Sequence, residues 1–301
     1  MIARITIAII IVAASALAVI LPRVNLSDYL PIAKANQLET TISKEQASPQ
    51  RSTAFTEAPV ISARSAVILD FKTGSMLYGK NPHLRHLPAS TTKLMTAIAA
   101  LEKCAPHDKL TVKRVETIGS QMGLSQGDEI TAENLLYGLL INSGNDSAFA
   151  LAENCGDSYE NFIAEMNNKA QELDMNETHF VNPAGFDNEL QYSTSMDLAK
   201  LARVATANPL IAKIVKTKST VVTDTTGLKT YYLENVNKLL GVVDGLEGVK
   251  TGETDGSLEI LITKTVRGEN GIIVSVLGSK DRFGESKSLI EWAFANYVWP
   301  K

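Results

Sequence analysis

The N-terminal part of the chain divides into an apolar run and a polar stretch. Residues 5–21 are apolar apart from one threonine and one serine, and Arg4 precedes them. A short positive start followed by such a run is an export signal, and about 17 residues is near the lower limit for a helix that spans a bilayer. Because the run continues beyond Ala16-Leu17-Ala18, which resembles a cleavage site, we predict an uncleaved anchor at residues 1–22, with a removed signal peptide as the alternative.

Residues 23–58 have a different composition. They are rich in Ser, Thr, Gln, Glu, Ala and Lys, and their few large apolar residues follow no period. Such a segment cannot bury enough apolar surface to offset the entropy of ordering it. We therefore predict a flexible linker at 23–58 and a single globular domain at 59–301.

The globular part begins with a pattern that predicts a β-hairpin. Residues 66–70 form a short β-prone run, residues 71–74 form a turn, and residues 75–78 resume the strand pattern. Apolar residues at spacings of three and four then predict a series of helices. These helices cover residues 90–101, 134–140, 148–153, 162–173 and 196–205.

From residue 219 onward the pattern changes to strands. Strands are predicted at 220–223, 258–262 and 271–277, and a closing helix at 286–297. This order of elements is typical of an α+β fold. We expect the N-terminal hairpin to join the C-terminal strands in one antiparallel sheet flanked by helices, with the helical middle as an inserted lobe.

Composition narrows the function. The 301 residues are 45% hydrophobic and carry a formal net charge of −4, and without a long basic run this argues against a nucleic-acid partner. The four histidines are not spaced as a metal-ligand set and no Gly-rich phosphate loop is present, so no metal and no cofactor are predicted. Cys104 and Cys155 are either two buried small hydrophobes, which we favour, or one disulfide in an oxidising compartment.

Three short motifs carry candidate chemistry. In Ser90-Thr91-Thr92-Lys93, a helix would place the lysine amine beside the serine hydroxyl. Lysine can then activate serine as a nucleophile if its pKa is lowered. Ser143-Gly144-Asn145 offers a hydroxyl and a carboxamide, and Lys250-Thr251-Gly252 offers a cation, a hydroxyl and a close approach for a ligand backbone. Each motif alone is weak, but together in this order they match the set found in class A β-lactamases and penicillin-binding proteins.

The chain resembles the low-molecular-mass penicillin-binding D-alanyl-D-alanine carboxypeptidases. The resemblance covers residues 63–297 and extends to the segments that flank the motifs, which are 88–97, 139–146, 178–187, 192–194, 244–252 and 276–278. It implies the β-lactamase/D,D-peptidase-like fold, a peptidoglycan stem peptide as substrate, β-lactams as inhibitors, and an extracytoplasmic location, anchored or secreted. Many relatives continue into a β-rich second domain with a membrane-binding helix, and here we expect the N-terminal segment to replace that anchor.

The resemblance also implies catalytic roles. Ser90 would be the acylated nucleophile, and Lys93 the general base, kept neutral in part by Lys250. Ser143 would relay a proton to the leaving amine. Asn145 would bind the substrate amide and help to orient Lys93.

A second set of roles concerns substrate binding. Thr251 would bind the terminal carboxylate, Lys250 would supply its field, and Gly252 would allow close approach. The oxyanion hole would be formed by the N–H groups of Ser90 and Glu253. Arg282 stands where the family often carries an arginine near the carboxylate; a solvated loop residue is the alternative.

Three departures from the family pattern are visible. Glu253 replaces a histidine or an aromatic residue, and its carboxylate would repel an anionic substrate end. The spacing from Gly245 to Lys250 is longer than usual, which predicts a bulge at residues 246–248. Ser257-Leu258 replace Ala-Gly, so the local strand geometry is not predicted.

Three other functions compete with the carboxypeptidase. A β-lactamase needs a base for fast deacylation, and residues 172–176 loosely imitate the class A glutamate segment, although Glu172 fits better on the polar face of a helix. A D,D-endopeptidase is not separable by sequence. A catalytically silent peptidoglycan-binding protein would show no acylation of Ser90.

Overall fold

The computed structural model describes residues 47–300. Its strands are β1 (Gln50–Arg51), β2 (Ser65–Asp70), β3 (Met76–Lys80), β4 (Lys109–Thr111), β5 (Glu129–Thr131), β6 (Ser219–Thr223), β7 (Thr230–Glu234), β8 (Leu246–Thr254), β9 (Leu258–Arg267), β10 (Asn270–Ser279) and β11 (Tyr297–Val298). Its helices are a 3-10 turn (Ala89–Thr92), α1 (Lys93–Lys103), α2 (Ala132–Leu140), α3 (Asn145–Asn154), α4 (Tyr159–Glu172), α5 (Ser195–Ala205), α6 (Pro209–Lys216) and α7 (Arg282–Asn296).

A five-stranded antiparallel sheet forms the centre, in the order β3-β2-β10-β9-β8. The N-terminal hairpin joins the C-terminal strands through β2 and β10, where Ile68 lies opposite Val274. The predicted α+β fold and the shared sheet are therefore confirmed. Strand β8 is at one edge of this sheet, and it carries the Lys250-Thr251-Gly252 motif.

Strand β2 is buried on both faces because the sheet is covered on both sides. Successive side chains of a strand point to opposite faces. Val67 and Leu69 belong to the core shared with the helical lobe, whereas Ala66 and Ile68 belong to the core shared with α7. This explains the continuous apolar run in the sequence.

Side-chain caps define where the lobe helices begin. Thr131, Ser158 and Thr194 each accept a backbone N–H of the first turn of α2, α4 and α5. Asn208 caps α6, and Pro209 follows it at the first helical position. Helix α6 was not predicted, although Asn-Pro before an apolar run is a helix-start signal.

Cys104 and Cys155 form a disulfide, with their Cα atoms 5.5 Å apart. The favoured expectation of two separate buried hydrophobes is wrong, and the alternative is correct. The two residues follow the last turns of α1 and α3. They are 51 residues apart in sequence, so only the packing of these two helices brings them together.

Ordered contacts begin before the predicted domain boundary at residue 59. Strand β1 pairs with β11, and the Phe55 ring packs edge-on against the rings of Trp292 and Tyr297 at 5.6 and 5.9 Å. The last residues of the predicted linker therefore contact α7 and the strand after it. The predicted anchor and residues 23–46 lie outside the described residues.

Between residues 47 and 300, none of the helices has both the length and the apolar character needed to cross a bilayer.

Candidate active site

Ser90 lies in the 3-10 turn that leads into α1. The preceding residue, Ala89, has a φ of 46°, a left-handed conformation that is strained for a residue with a side chain. Two glycines pack against this turn. A Cβ on Gly185 would lie 1.8 Å from the Ala89 carbonyl oxygen, and one on Gly252 would lie 3.1 Å from the Ser90 nitrogen. Position 185 therefore requires glycine, and the loop and strand β8 hold the serine between them.

Lys93 is fully buried, and its amine is directed at Ser90. Its Nζ lies 2.9 Å from the Ser90 Oγ and donates to the Ala184 carbonyl oxygen at 2.7 Å. Neither partner is a carboxylate. Burial, and secondly the charge of Lys250, hold the pKa of Lys93 well below its ordinary value, with Asp146 opposing the shift. A neutral amine in this position can accept the proton of the serine.

The Ala184 carbonyl is held by a tight loop. The side-chain Oδ1 of Asn182 accepts the N–H groups of Ala184, Gly185 and Phe186 at 3.2, 2.7 and 3.0 Å. The Thr96 hydroxyl in α1 donates to the Pro183 carbonyl at 2.7 Å. The loop is thereby fixed to the same helix that carries Lys93.

The Ser143-Gly144-Asn145 motif forms the turn between α2 and α3. Ser143 has a φ of 65°, which aims its hydroxyl at strand β8, where Lys250 Nζ lies 2.9 Å away. Asn145 donates its Nδ2 to the Ile118 carbonyl at 2.7 Å, so the amide group is turned with its nitrogen towards that loop. Within residues 47–300, the expected hydrogen bond between Asn145 and Lys93 is not found.

Lys250 is the second buried lysine of the site. Its Nζ donates to the Ser143 hydroxyl and to the Thr251 carbonyl oxygen at 2.9 and 3.0 Å. Burial, and then the charge of Arg282, lower its pKa to about 7. The two lysines therefore form two Ser–Lys pairs, each with a desolvated amine on a hydroxyl.

Glu253 and Arg282 form an ion pair at the open end of the site. The Arg282 Nη1 lies 2.7 Å from the Glu253 Oε2 and donates to the Gly252 carbonyl at 3.1 Å. The side chain of Arg282 is only 15% exposed, whereas that of Glu253 is 59% exposed. Arg282 is thus beside the strand that carries the third motif rather than in a solvated loop, and the carboxylate of Glu253 has a cationic partner.

Comparisons with known proteins agree with this geometry. A sequence profile described as D-alanyl-D-alanine carboxypeptidase matches residues 52–281. The chain belongs to this family. The D-alanyl-D-alanine carboxypeptidase DacF of Bacillus subtilis (strain 168) is 35% identical over 245 residues, which is 78% of this chain and 63% of that protein.

Two further relatives cover more of their own length. The crystal structure of the Streptomyces K15 DD-transpeptidase superposes with a TM-score of 0.76 at 32% identity, covering 80% of this chain and all of that one. The D-alanyl-D-alanine endopeptidase of Escherichia coli (strain K12) is 31% identical over 250 residues, 80% of each chain.

The additional residues before Lys250 are accommodated as predicted. The register between β8 and β9 shifts between Leu246 and Val249, which confirms a bulge. Glu247 in the bulge pairs with Lys216 and Lys264 at 2.9 and 3.2 Å. Beyond the bulge the ladder is regular, so Lys250 and Thr251 keep their positions in the sheet.

Ser257 closes the turn after β8. Its hydroxyl accepts the Thr254 N–H at 3.0 Å, and its own N–H donates to the Thr254 hydroxyl at 3.0 Å. Asp187, from the loop that follows Gly185, accepts the Thr254 hydroxyl at 2.6 Å. The serine that departs from the family pattern thus supports the end of the motif strand.

Asp146 is a site residue for which no role was predicted from the sequence. Its buried carboxylate accepts the N–H groups of Met122, Gly123 and Leu124 at 2.8, 2.9 and 3.1 Å. It thereby fixes the loop whose Ile118 carbonyl binds Asn145. Its only sequence signal was its place directly after the second motif.

In the part of the chain that the structure describes, no group of three or more histidine, cysteine, aspartate or glutamate side chains is arranged to hold a metal ion.

Proposed function

We propose that the protein is a serine D-Ala-D-Ala carboxypeptidase that trims peptidoglycan stem peptides through an acyl-enzyme on Ser90, and that β-lactams acylate the same serine. The observation that carries the proposal is the fully buried Lys93 amine, 2.9 Å from the Ser90 hydroxyl and without a carboxylate partner. Such an amine is a competent general base because the charged form is disfavoured. The chain spans only part of some relatives: the match covers 63% of the length of the Bacillus protein.

Acylation begins when neutral Lys93 takes the Ser90 proton and the Ser90 Oγ attacks the carbonyl carbon of the penultimate D-alanine. Negative charge develops on the carbonyl oxygen in the tetrahedral intermediate. The N–H groups of Ser90 and Glu253 are proposed to donate to this oxygen, because preorganised donors stabilise a charge that develops in the transition state. Gly252 leaves room for the substrate, because the strand lies directly against the Ser90 nitrogen.

The C–N bond then breaks, and the departing amine needs a proton. Ser143 is proposed to pass that proton on, because its hydroxyl is bound to Lys250 at 2.9 Å. Asn145 would bind the substrate amide through the oxygen of its side chain, since the nitrogen is bound to Ile118. Water then attacks the ester, and Ser90 regains its proton as the shortened peptide leaves.

The terminal carboxylate would lie at the end of β8, between the Thr251 hydroxyl and the charge of Lys250. Both residues are buried, and the regular ladder beyond the bulge fixes their positions. A charge-assisted bond in such a desolvated position is stronger than one at the surface.

The proposal is tested with the full chain. Incubation with fluorescent penicillin and intact-mass analysis should give one adduct on Ser90 that is absent from Ser90→Ala. The same protein should release D-alanine from diacetyl-Lys-D-Ala-D-Ala. Folded protein that forms no adduct would overturn the proposal and leave a binding role, whereas rapid turnover of penicillin would identify a β-lactamase.

An endopeptidase is a second candidate, supported by the likeness to the Escherichia coli D-alanyl-D-alanine endopeptidase. Release of monomers from a cross-linked muropeptide dimer, without release of D-alanine from the tripeptide, would favour it. The β-lactamase has less support, because Glu172 lies at the end of α4 and pairs with Lys169 on the surface.

An extracytoplasmic site of action is consistent with the family and with the disulfide, which forms in oxidising compartments. We propose in addition that residues 1–22 hold the protein at the cytoplasmic membrane. Fractionation of cells that express the full chain or a variant without residues 1–22 tests this proposal. Recovery of both forms in the same soluble fraction would contradict it.

A further inference from the structure

We propose that Glu253 determines specificity. Its carboxylate pairs with the Arg282 guanidinium, and this pairing weakens the preference of the site for ligands that carry a free carboxylate next to the scissile bond. The inference rests on the proposed function and deepens it. It names the substrate class that this chain tolerates: acyl donors whose terminal carboxyl group is blocked.

The first step is the position of the charges at the open end of the site. Arg282 lies there, and it is near enough to the buried Lys250 to lower the pKa of that amine. The guanidinium contacts the motif strand itself, through the Gly252 carbonyl at 3.1 Å. An anionic ligand group at the end of β8 would therefore approach Arg282 as well as Lys250.

The second step is that Arg282 is already neutralised. Its Nη1 is bound to the Glu253 carboxylate at 2.7 Å, and its backbone N–H donates to the Glu259 carboxylate at 2.8 Å. Glu253 and Glu259 lie directly opposite each other in the ladder between β8 and β9. Like charges in that position repel, and the ion pair with Arg282 compensates the charge of Glu253.

The third step concerns the ligand. A free carboxylate must share the Arg282 guanidinium with Glu253, so it gains less from this cation than it would from an unpaired arginine. A ligand with an ester or amide at the same point has no such loss. The side chain of Glu253 is 59% exposed, and it is on the same face of β8 as that of Thr251, two residues earlier.

The test compares two β-lactams that differ only at the carboxylate. The rate constants for acylation of Ser90 by benzylpenicillin and by its methyl ester are measured by intact mass at one fixed pH. The isosteric Glu253→Gln variant should raise the ratio of the benzylpenicillin rate constant to that of the methyl ester about fivefold, the size expected for an exposed ion pair.

A matched control is available two residues away. Asp255 is an exposed carboxylate in the turn after β8, and it takes part in none of the ion pairs found between residues 47 and 300. Asp255→Asn changes the net charge by the same amount and should alter the ratio by less than about twofold, because exposed charges that make no contact are screened.

A second comparison tests the route through Arg282. In the Arg282→Gln background, Glu253→Gln should produce no further gain, because no guanidinium remains to be released. If Glu253→Gln still raises the ratio in that background, Glu253 repels the ligand carboxylate directly, and the proposed action through Arg282 is wrong. An unchanged ratio in Glu253→Gln, with normal acylation of Ser90, would overturn the inference alone. Failure of both β-lactams to acylate folded wild-type protein would instead overturn the proposed function.

Discussion

The basic side chains in the interior of the site and at its rim have different partners. In the interior, Lys93 and Lys250 are fully buried and bind only hydroxyl and carbonyl oxygens. At the rim, Arg282 is bound to the carboxylate of Glu253. The interior therefore keeps its amines weakly basic, whereas the rim keeps its cation charged and neutralised.

The difference shows how one small region separates two tasks. Proton transfer needs a base that is neutral at working pH, and burial without a counter-ion produces one. Recognition of an anion needs a permanent charge, and arginine keeps its charge in any environment. A carboxylate beside Lys93 would raise the pKa of the amine and remove its function, whereas the carboxylate beside Arg282 alters only selectivity.

The largest expected effect comes from Lys93→Arg. A guanidinium keeps a positive charge but cannot act as a base, so the rate of acylation of Ser90 by penicillin should fall about a thousandfold. The rate should fall by a similar factor in Lys93→Met, and circular dichroism of both variants checks that they are folded. A folded Lys93→Arg variant that keeps a tenth or more of the rate would break the contrast between interior and rim.

The second largest effect concerns the disulfide that joins the ends of α1 and α3. These helices carry Lys93 and Asn145 at their opposite ends. For a loop of 51 residues, Cys104→Ser with Cys155→Ser should lower the free energy of unfolding by about 4 kcal/mol. Denaturant unfolding with and without reductant measures this. An equal midpoint for oxidised wild type and the double variant would contradict it.

The third effect concerns Asp146, the residue directly after the second motif. Asp146→Asn keeps the shape but loses the charge that accepts four backbone N–H groups. We expect the free energy of unfolding to fall by about 2 kcal/mol. Asp157→Asn, at an exposed position near the end of α3, is the control. Its free energy of unfolding should lie within about 0.5 kcal/mol of the wild-type value.

The smallest effect, taken per pH unit, is a pH dependence of stability. Burial lowers the pKa of Lys250 from 10.5 in a free side chain to about 7. Between these values the unfolded state binds the proton and the folded state does not, so stability rises with pH across that window. The contribution should be about 1 kcal/mol per pH unit, measured by urea unfolding at several pH values. Lys250→Met should reduce this slope, and Lys93, whose pKa is also lowered, accounts for the part that remains. A slope that is unchanged in that variant would contradict the assignment.

Much of the fold was visible in the sequence because its elements have clear periods. Helices α4 and α5 and strand β10 were predicted near their observed bounds, and strand β9 was predicted from its first residue but five residues too short. Strand β7 was missed because two adjacent tyrosines hide its alternation: Tyr231 is buried and Tyr232 is exposed.

The site was predictable where it uses side chains in fixed spacing, and less so where it uses the backbone. The three motifs named the four residues of the two Ser–Lys pairs, but only the pairing of Ser90 with Lys93 was predicted. The Ala184 carbonyl that holds Lys93 has no signature, because every residue carries a carbonyl group. The pairing of Glu253 with Arg282 joins residues 29 positions apart, and nothing in their local sequences records it.

The most direct test of the central claim is the pKa of the Lys93 amine. In the full chain with isotope-labelled lysine, the NMR shift of the Nζ is followed across pH, and a difference spectrum against Lys93→Met assigns the signal. A titration well below the ordinary lysine value of 10.5 is the predicted result. A signal that titrates at the ordinary value would contradict the role of Lys93 as the base for Ser90.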